Sequence, residues 1–326
     1  MIITRTPLRV SFAGGGSDLH AYYQHEPGVV LSTAIDKYVY LAVKPHFDEN
    51  FRISYSKTEF ADTVGQIEHR LVRECLTLLG IERGCEIVSM ADLPARTGLG
   101  SSSSFTVGLL HALYADQGKV VTAERLAAEA CRMEIEKLGE PIGKQDQYIA
   151  AYGGITCFNF LPDNQVVVEP LKIPAETLAN LEDNLLLFFT GSSRNASDIL
   201  RDQDSRTKQN NSEMIENLHF TKQLGVESRD ALLAGDLKGF ADLMNVHWEH
   251  KKKRSPGMSS NEIDQLYDLA KANGARGGKL IGAGGGGFLM FYTEEKTRLR
   301  RAMRAAGLRE VRLQFDFAGT TVVAHS

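Results

Sequence analysis

Alternating apolar and polar positions mark the first part of the chain. Residues 2 to 12 and 28 to 44 are rich in alternating β-branched side chains, the pattern of strands, and "FAGGGSD" is the turn after the first of them. The period then lengthens. Val64, Ile67, Leu71, Val72, Cys75 and Leu79 recur at helical spacing across 64 to 80, and "CEIVSM" at 85 to 90 returns to a strand. A second helix is predicted over about 102 to 116. A third starts at 122, where "TAERLAAEACRMEIEKL" runs in strong helix formers behind Thr122; Arg125 stands where a full capping box would carry Glu.

"NQVVVEPLKI" has the character of a strand, and a proline and polar stretch leads on to "NLLLFFTGSSRNASDIL", a buried strand followed by a loop and a helix. From 195 to 273 the pattern is mostly helical. "KLIGAGGGGFLMFY" then sets glycines between two strand-like runs, 294 to 306 reads as a helix, and 310 to 324 as a final strand. We divide the chain into residues 1–183 and 184–326, in keeping with a length of 326 residues that favours about two domains. No internal repeat interrupts this division.

Composition narrows the class of function. With 43% hydrophobic and 24% charged residues the chain is an ordinary globular sequence, and a net charge of −4 gives no general affinity for nucleic acid. The basic run Lys251-Lys252-Lys253-Arg254 therefore needs a local explanation, and a solvated helical face is the ordinary one. The four cysteines show no C-x-x-C spacing and read as reduced thiols, which suits the cytoplasm. No apolar stretch reaches the ~18 residues that span a bilayer, and the N-terminus reads as a strand rather than an export signal, so no membrane partner is expected. His247 and His250 have helical spacing but no companions for zinc.

Three glycine-rich stretches carry the chemistry. "TGLGSSSSF" would make a flexible linker in isolation. Pro94 before it and an apolar helical face after it instead place the serines at a helix N-terminus, where unpaired N–H groups and the positive dipole end attract phosphate. It is not a Walker A loop, because no lysine stands between Gly98 and Phe105. "GAGGGG" is not a dinucleotide fingerprint either, since a strand-like run rather than a helix follows it; its glycines, Gly284 to Gly287, suit a tight hairpin.

"TPLRVSFAGGGSD" (6 to 18), "P-x-x-x-G-L-G-S-S" (Pro94 to Ser102) and "KLIGAGGGGF" (279 to 288) together resemble the three ordered motifs of the GHMP kinases, and the match spans nearly the whole chain. The resemblance implies an α+β fold, with an N-terminal domain like ribosomal protein S5 domain 2, a C-terminal ferredoxin-like domain, and the active site between them. It implies ATP as phosphoryl donor, Mg²⁺ as metal, and a nucleotide-phosphate loop of Pro94, Gly98, Leu99, Gly100, Ser101, Ser102, Ser103 and Ser104. Asp146, in "GKQDQY", matches the catalytic aspartate, and Arg9 a basic position beside the reacting centre.

Ser102 matches a magnesium-binding serine and Glu134 the companion glutamate. Glu136 is the rival, because "GEPIGKQD" is one residue longer than the usual "GxPSGxD". Asp18 matches an aspartate that reads ring hydroxyls, with Gly15, Gly16 and Ser17 allowing close approach, and Gly284 and Gly285 are assigned to the substrate as well. Arg194 and the lysines of the basic run are candidates for a phosphate on the substrate.

Within the family, "AGGGSDL", "GKQDQYIAAYGG" and "GARGGKLIGAGGGGFL" most resemble sugar kinases acting on the anomeric oxygen of D-glycero-D-manno-heptose 7-phosphate, a step toward nucleotide-activated heptose. An L-fucokinase-like kinase of an unphosphorylated sugar, a non-catalytic sensor of sugar and nucleotide, and a kinase of a small non-sugar alcohol are the alternatives. The sequence gives no reading of oligomeric state.

Overall fold

The structure is a computed structural model that describes residues 1–191, 196–255 and 257–325. In chain order its strands are β1 (Ile2–Ala13), β2 (Gly28–Pro45), β3 (Phe51–Ser54), β4 (Thr58–Ala61), β5 (Cys85–Ala91), β6 (Ile155–Phe160), β7 (Val166–Pro170), β8 (Leu185–Phe189), β9 (Gly277–Leu280), β10 (Phe288–Tyr292), β11 (Arg309–Val311) and β12 (Thr321–His325). The helices are α1 (His20–Tyr23), α2 (Arg70–Leu79), α3 (Ser101–Asp116), α4 (Ala123–Cys131), α5 (Gln145–Tyr152), α6 (Ala175–Asn184), α7 (Ala196–Lys208), α8 (Ser212–Leu233), α9 (Leu237–Lys252), α10 (Asn261–Ala272) and α11 (Lys296–Ala305).

β1 and β2 form an antiparallel pair at the centre of the first sheet. Along its second edge β2 serves two partners, β6 over Gly28–Thr33 and β5 over Val39–Pro45. The sheet runs β12-β1-β2-β5-β3-β4, with β7 beyond β6. Pro7 has no N–H to donate and sits at a register shift in β1. Its carbonyl is taken instead by the Ser104 hydroxyl at 2.7 Å, which ties α3 to the strand. The second sheet runs β11-β8-β10-β9, antiparallel throughout, with helices between β8 and β9 and α11 between β10 and β11. That order and connection are those of a ferredoxin-like unit.

Most of the expected elements are present: α3 covers 101–116, Thr122 caps α4 by accepting from the Arg125 N–H, and β9 and β10 form the hairpin around the glycines. The end of the chain differs from expectation. In place of one strand over 310 to 324, β11 completes the second sheet and β12 returns to pair with β1 in the first. The intervening segment lies against β2 through Asp36 N–H to Gln314 O (2.9 Å) and Asp316 N–H to Ala34 O (3.0 Å). Residues 321–325 thus complete the sheet of the first half. The sequence pattern does not predict α1, β3, β4, α5 or α6.

The four cysteines are buried and none is bonded to another. Among the described residues no helix is long and apolar enough to cross a membrane.

Candidate active site

A cavity of about 600 Å³ lies where β1, the loop before α3, the start of α5, the end of α9 and the β9–β10 hairpin meet. Gly98 and Gly100 have φ of +83° and +76°, the left-handed region that glycine takes freely, and they bend the chain sharply into α3. A Cβ on Gly98 would lie 2.8 Å from the Ile281 carbonyl oxygen, so the phosphate-type loop sits directly against the hairpin. Gly100 caps α3 without a side chain, which leaves the N–H groups of its first turn available to an anion. Gly98, Gly100, Ser101, Ser102 and Ser103 line the cavity. Leu99 does not: its side chain is in the core, while its carbonyl accepts from the Arg9 N–H at 3.0 Å. Pro94 also stays outside the wall and accepts from the Thr97 hydroxyl.

Arg9, near the middle of β1, makes a two-pronged ion pair with Asp146 in the first turn of α5, with Nε to Oδ1 and Nη2 to Oδ2 both 2.6 Å. Its remaining terminal nitrogen donates to the Gly98 carbonyl. One guanidinium thus fixes the loop and the aspartate together, in the fork geometry that arginine alone provides. Each Asp146 oxygen keeps a lone pair for a further donor.

Glu134 is 1% exposed and accepts from Ser102 Oγ at 2.8 Å, from Ser103 Oγ at 2.7 Å and from the Gln147 amide. Burial pushes its carboxyl up from the ordinary range, the three donors pull it back, and the Asp146 charge raises it again. It sits in a π-helical turn, Arg132–Lys137, in which the Leu138 N–H reaches back to Met133 O. Glu136 is exposed on the outer side. Ser102 and Glu134 thus form an all-oxygen donor pair whose carboxylate meets no cation among the described residues, a chemistry that fits a hard divalent ion. Ser104 points elsewhere, to β1.

Asp18 is buried and lines the cavity, and both of its oxygens are engaged, Oδ1 by Gly16 N–H at 2.9 Å and Oδ2 by Gln145 N–H at 3.2 Å. Burial raises its carboxyl, with the Asp146 charge acting in the same direction. Gly15 and Gly16 also line the wall. The Ser17 hydroxyl donates to Gly14 O or Val29 O and accepts from Val29 N–H, inside the turn. Gly284 and Gly285 lie beyond the lining of the cavity. They pack on Met258, and it is Gly282 and Ala283 that reach the wall. Arg194 lies outside the described residues.

The basic run divides in two. Lys252 and Lys253 are at the surface, whereas Lys251 and Arg254 are buried in the cavity wall, joined by His247 and by Lys279 of β9. Burial, followed by the Arg254 and Arg9 charges, pushes the Lys251 ammonium down to about 7. Lys279 is driven well below its ordinary value by burial and the same cationic surroundings. The motif reading missed His247 and Lys279. His247, Lys251 and Arg254 stand at i, i+4 and i+7, a stripe that could have been read from the sequence; Lys279 was hidden in an apolar strand run.

Residues 69–154 match the GHMP kinases N terminal domain and residues 228–308 the GHMP kinases C terminal domain. The chain is 31% identical over 320 residues to the D-glycero-alpha-D-manno-heptose 7-phosphate kinase of Campylobacter jejuni, covering 93% of each. It is 26% identical to the bifunctional fucokinase/GDP-fucose pyrophosphorylase of Arabidopsis thaliana, over 90% of this chain and 30% of that protein. The crystal structure of a D-glycero-D-manno-heptose 1-phosphate kinase from Bacteroides thetaiotaomicron superposes with a TM-score of 0.82 at 28% identity, over the full length of both chains.

Proposed function

With the chain a member of the GHMP kinase family, and hence an ATP-dependent sugar phosphotransferase, we propose that its acceptor is the anomeric hydroxyl of D-glycero-D-manno-heptose 7-phosphate and its product the 1,7-bisphosphate, on the way to nucleotide-activated heptose. The observation that carries the chemistry is the Arg9–Asp146 pair fixed to the glycine loop at the mouth of α3. The choice of sugar is supported by 31% identity to the Campylobacter jejuni heptose 7-phosphate kinase over nearly the full length.

Gly98 to Ser103 present backbone N–H groups to the nucleotide phosphates, and the apolar part of the wall, with Val39, Leu71, Leu93 and Phe105, suits the purine. Ser102 and Glu134 would hold Mg²⁺, which supplies charge neutralisation at the phosphates when bound. Asp146 accepts a hydrogen bond from the acceptor hydroxyl and takes its proton as the new P–O bond forms and the bond to ADP breaks. Arg9 holds that aspartate in place and faces the charge on the transferring group. Gly15, Gly16 and Asp18 hold the sugar beside them.

Purified protein with Mg-ATP and a panel of free sugars and sugar phosphates tests the reading. ADP release should be fastest with the heptose 7-phosphate, and the same turnover with fucose or galactose would overturn the choice of substrate. Asp146→Asn should lower kcat by about 10²–10⁴-fold, with little change in KM for ATP. Near-normal turnover in that variant would assign the proton transfer to another group.

A further inference from the structure

His247, Lys251 and Arg254 lie along one stripe of α9 and the turn that follows it, and all three are buried in the cavity wall. Among the described residues their side-chain partners include no carboxylate. Lys251 donates to Leu280 O and Gly282 O; Arg254 donates to Asn217 Oδ1, Gly15 O and Thr221 Oγ1; His247 Nδ1 meets the Lys279 ammonium. Buried cations paired only with neutral groups are costly to maintain.

A count of protons shows what this end of the cavity lacks. Lys279 Nζ donates to Ser11 O and Phe12 O and pairs with His247 Nδ1. With Lys279 as the ammonium, Nδ1 accepts and the imidazole proton is on Nε2, a buried atom with no hydrogen-bond partner among the described residues. Lys251 keeps one of its three protons and Arg254 two of its five. With Nε2 as a donor, four donors and two formal charges therefore remain without partners in one part of the wall; the Asp18 carboxylate, whose charge acts on Arg254, is engaged by the Gly16 and Gln145 N–H groups. A tetrahedral dianion supplies what is missing, several acceptor oxygens and negative charge in a small volume.

We propose that His247, Lys251 and Arg254 form a subsite for the phosphate that the sugar substrate already carries, at the end away from the hydroxyl being phosphorylated. This rests on the reading of the acceptor as a sugar phosphate. The other source of the same chemistry is the nucleotide, whose phosphates already have the amides at the start of α3.

Two measurements separate these cases. The first is kcat/KM for the heptose 7-phosphate against the same heptose without phosphate, with KM for ATP measured alongside. The parent enzyme should prefer the phosphorylated sugar by about 100-fold or more, and Lys251→Met or His247→Leu should shrink that preference to within about 10-fold, mainly through KM for the sugar phosphate. A raised KM for ATP with the preference intact would overturn the subsite. The second is calorimetric titration of inorganic phosphate into protein saturated with Mg²⁺ and a non-hydrolysable ATP analogue, so that the nucleotide positions are filled. One phosphate should bind the parent and Lys251→Arg, and be lost in Lys251→Met, with thermal unfolding used to select folded variants. No binding to the parent would overturn the proposal. Phosphate binding without turnover of either heptose would support the subsite while faulting the choice of sugar.

Discussion

Burial without a counter-ion decides how Lys251 responds to pH. Its ammonium is held down at about 7 by desolvation and by the Arg254 and Arg9 charges, against an ordinary value of 10.5 in the unfolded chain. Above about pH 7 the unfolded chain therefore binds more protons at this position than the folded one, so the Lys251 contribution to stability rises with pH. Lys279, His247 and Arg254 are lowered too and act with the same sign. The buried thiols are raised from 9.0 and act with the opposite sign once free cysteine begins to ionise. The window for the lysine is thus about pH 7 to 8.5. Over it, the melting temperature of the ligand-free parent should rise relative to that of Lys251→Met, and a difference that stays flat or shrinks would mean the ammonium is not held in this way. No sequence pattern indicates such a shift, because it depends on what covers the lysine. The serine run shows the same limit. Its position at a helix start could be read, but Ser103 meets Glu134 across 31 residues and Ser104 meets Pro7 across 97.

Glycine motifs far apart in the chain meet backbone to backbone, and this makes the loop before α3 sensitive to a single methyl group. A Cβ on Gly98 would lie 2.8 Å from Ile281 O, and one on Gly282 would lie 2.5 Å from the Gly98 Cα. Gly98→Ala therefore meets both left-handed strain and a backbone collision. Gly118→Ala is the control, with φ of +70° and nothing within 4 Å of the added atom. The control should lose about 1–2 kcal/mol from conformation alone, and Gly98→Ala distinctly more, with a weakened affinity for ATP analogues. Equal losses in urea unfolding would show that the two motifs do not bear on each other. Glycine spacing identified both loops in the sequence, whereas their contact needs the fold. The choice between Glu134 and Glu136 has a similar cause. The helical pattern after Thr122 runs without a break, and nothing in "RMEIEK" announces the π-helical turn that shifts the register and carries Glu134 inward.

The two sheets are joined covalently twice, because the chain crosses from the first to the second before β8 and returns after β11. Alternation located β1 and β2, and the hairpin glycines located β9 and β10. The return could not be read, since 310 to 324 has the character of one strand and only the partners reveal two. Its contacts are specific: Phe315 bridges Ile35, the Tyr38 hydroxyl donates to Asp316 Oδ2 at 2.9 Å, Thr320 and Thr6 share a buried hydroxyl pair at 2.8 Å, and β12 covers the outer edge of β1. β1 carries Arg9, so the edge that β12 protects belongs to the strand that holds the arginine paired with Asp146. A chain ending after Val311 keeps all four strands of the second sheet yet leaves β1 as an open edge, which invites pairing with other chains. Such a chain should melt at a lower temperature, associate on standing and lose kinase activity, while the parent unfolds in one calorimetric transition. If the shortened chain kept full activity and the parent's state of association, the returning segment would be a tether and the first sheet would stand without it.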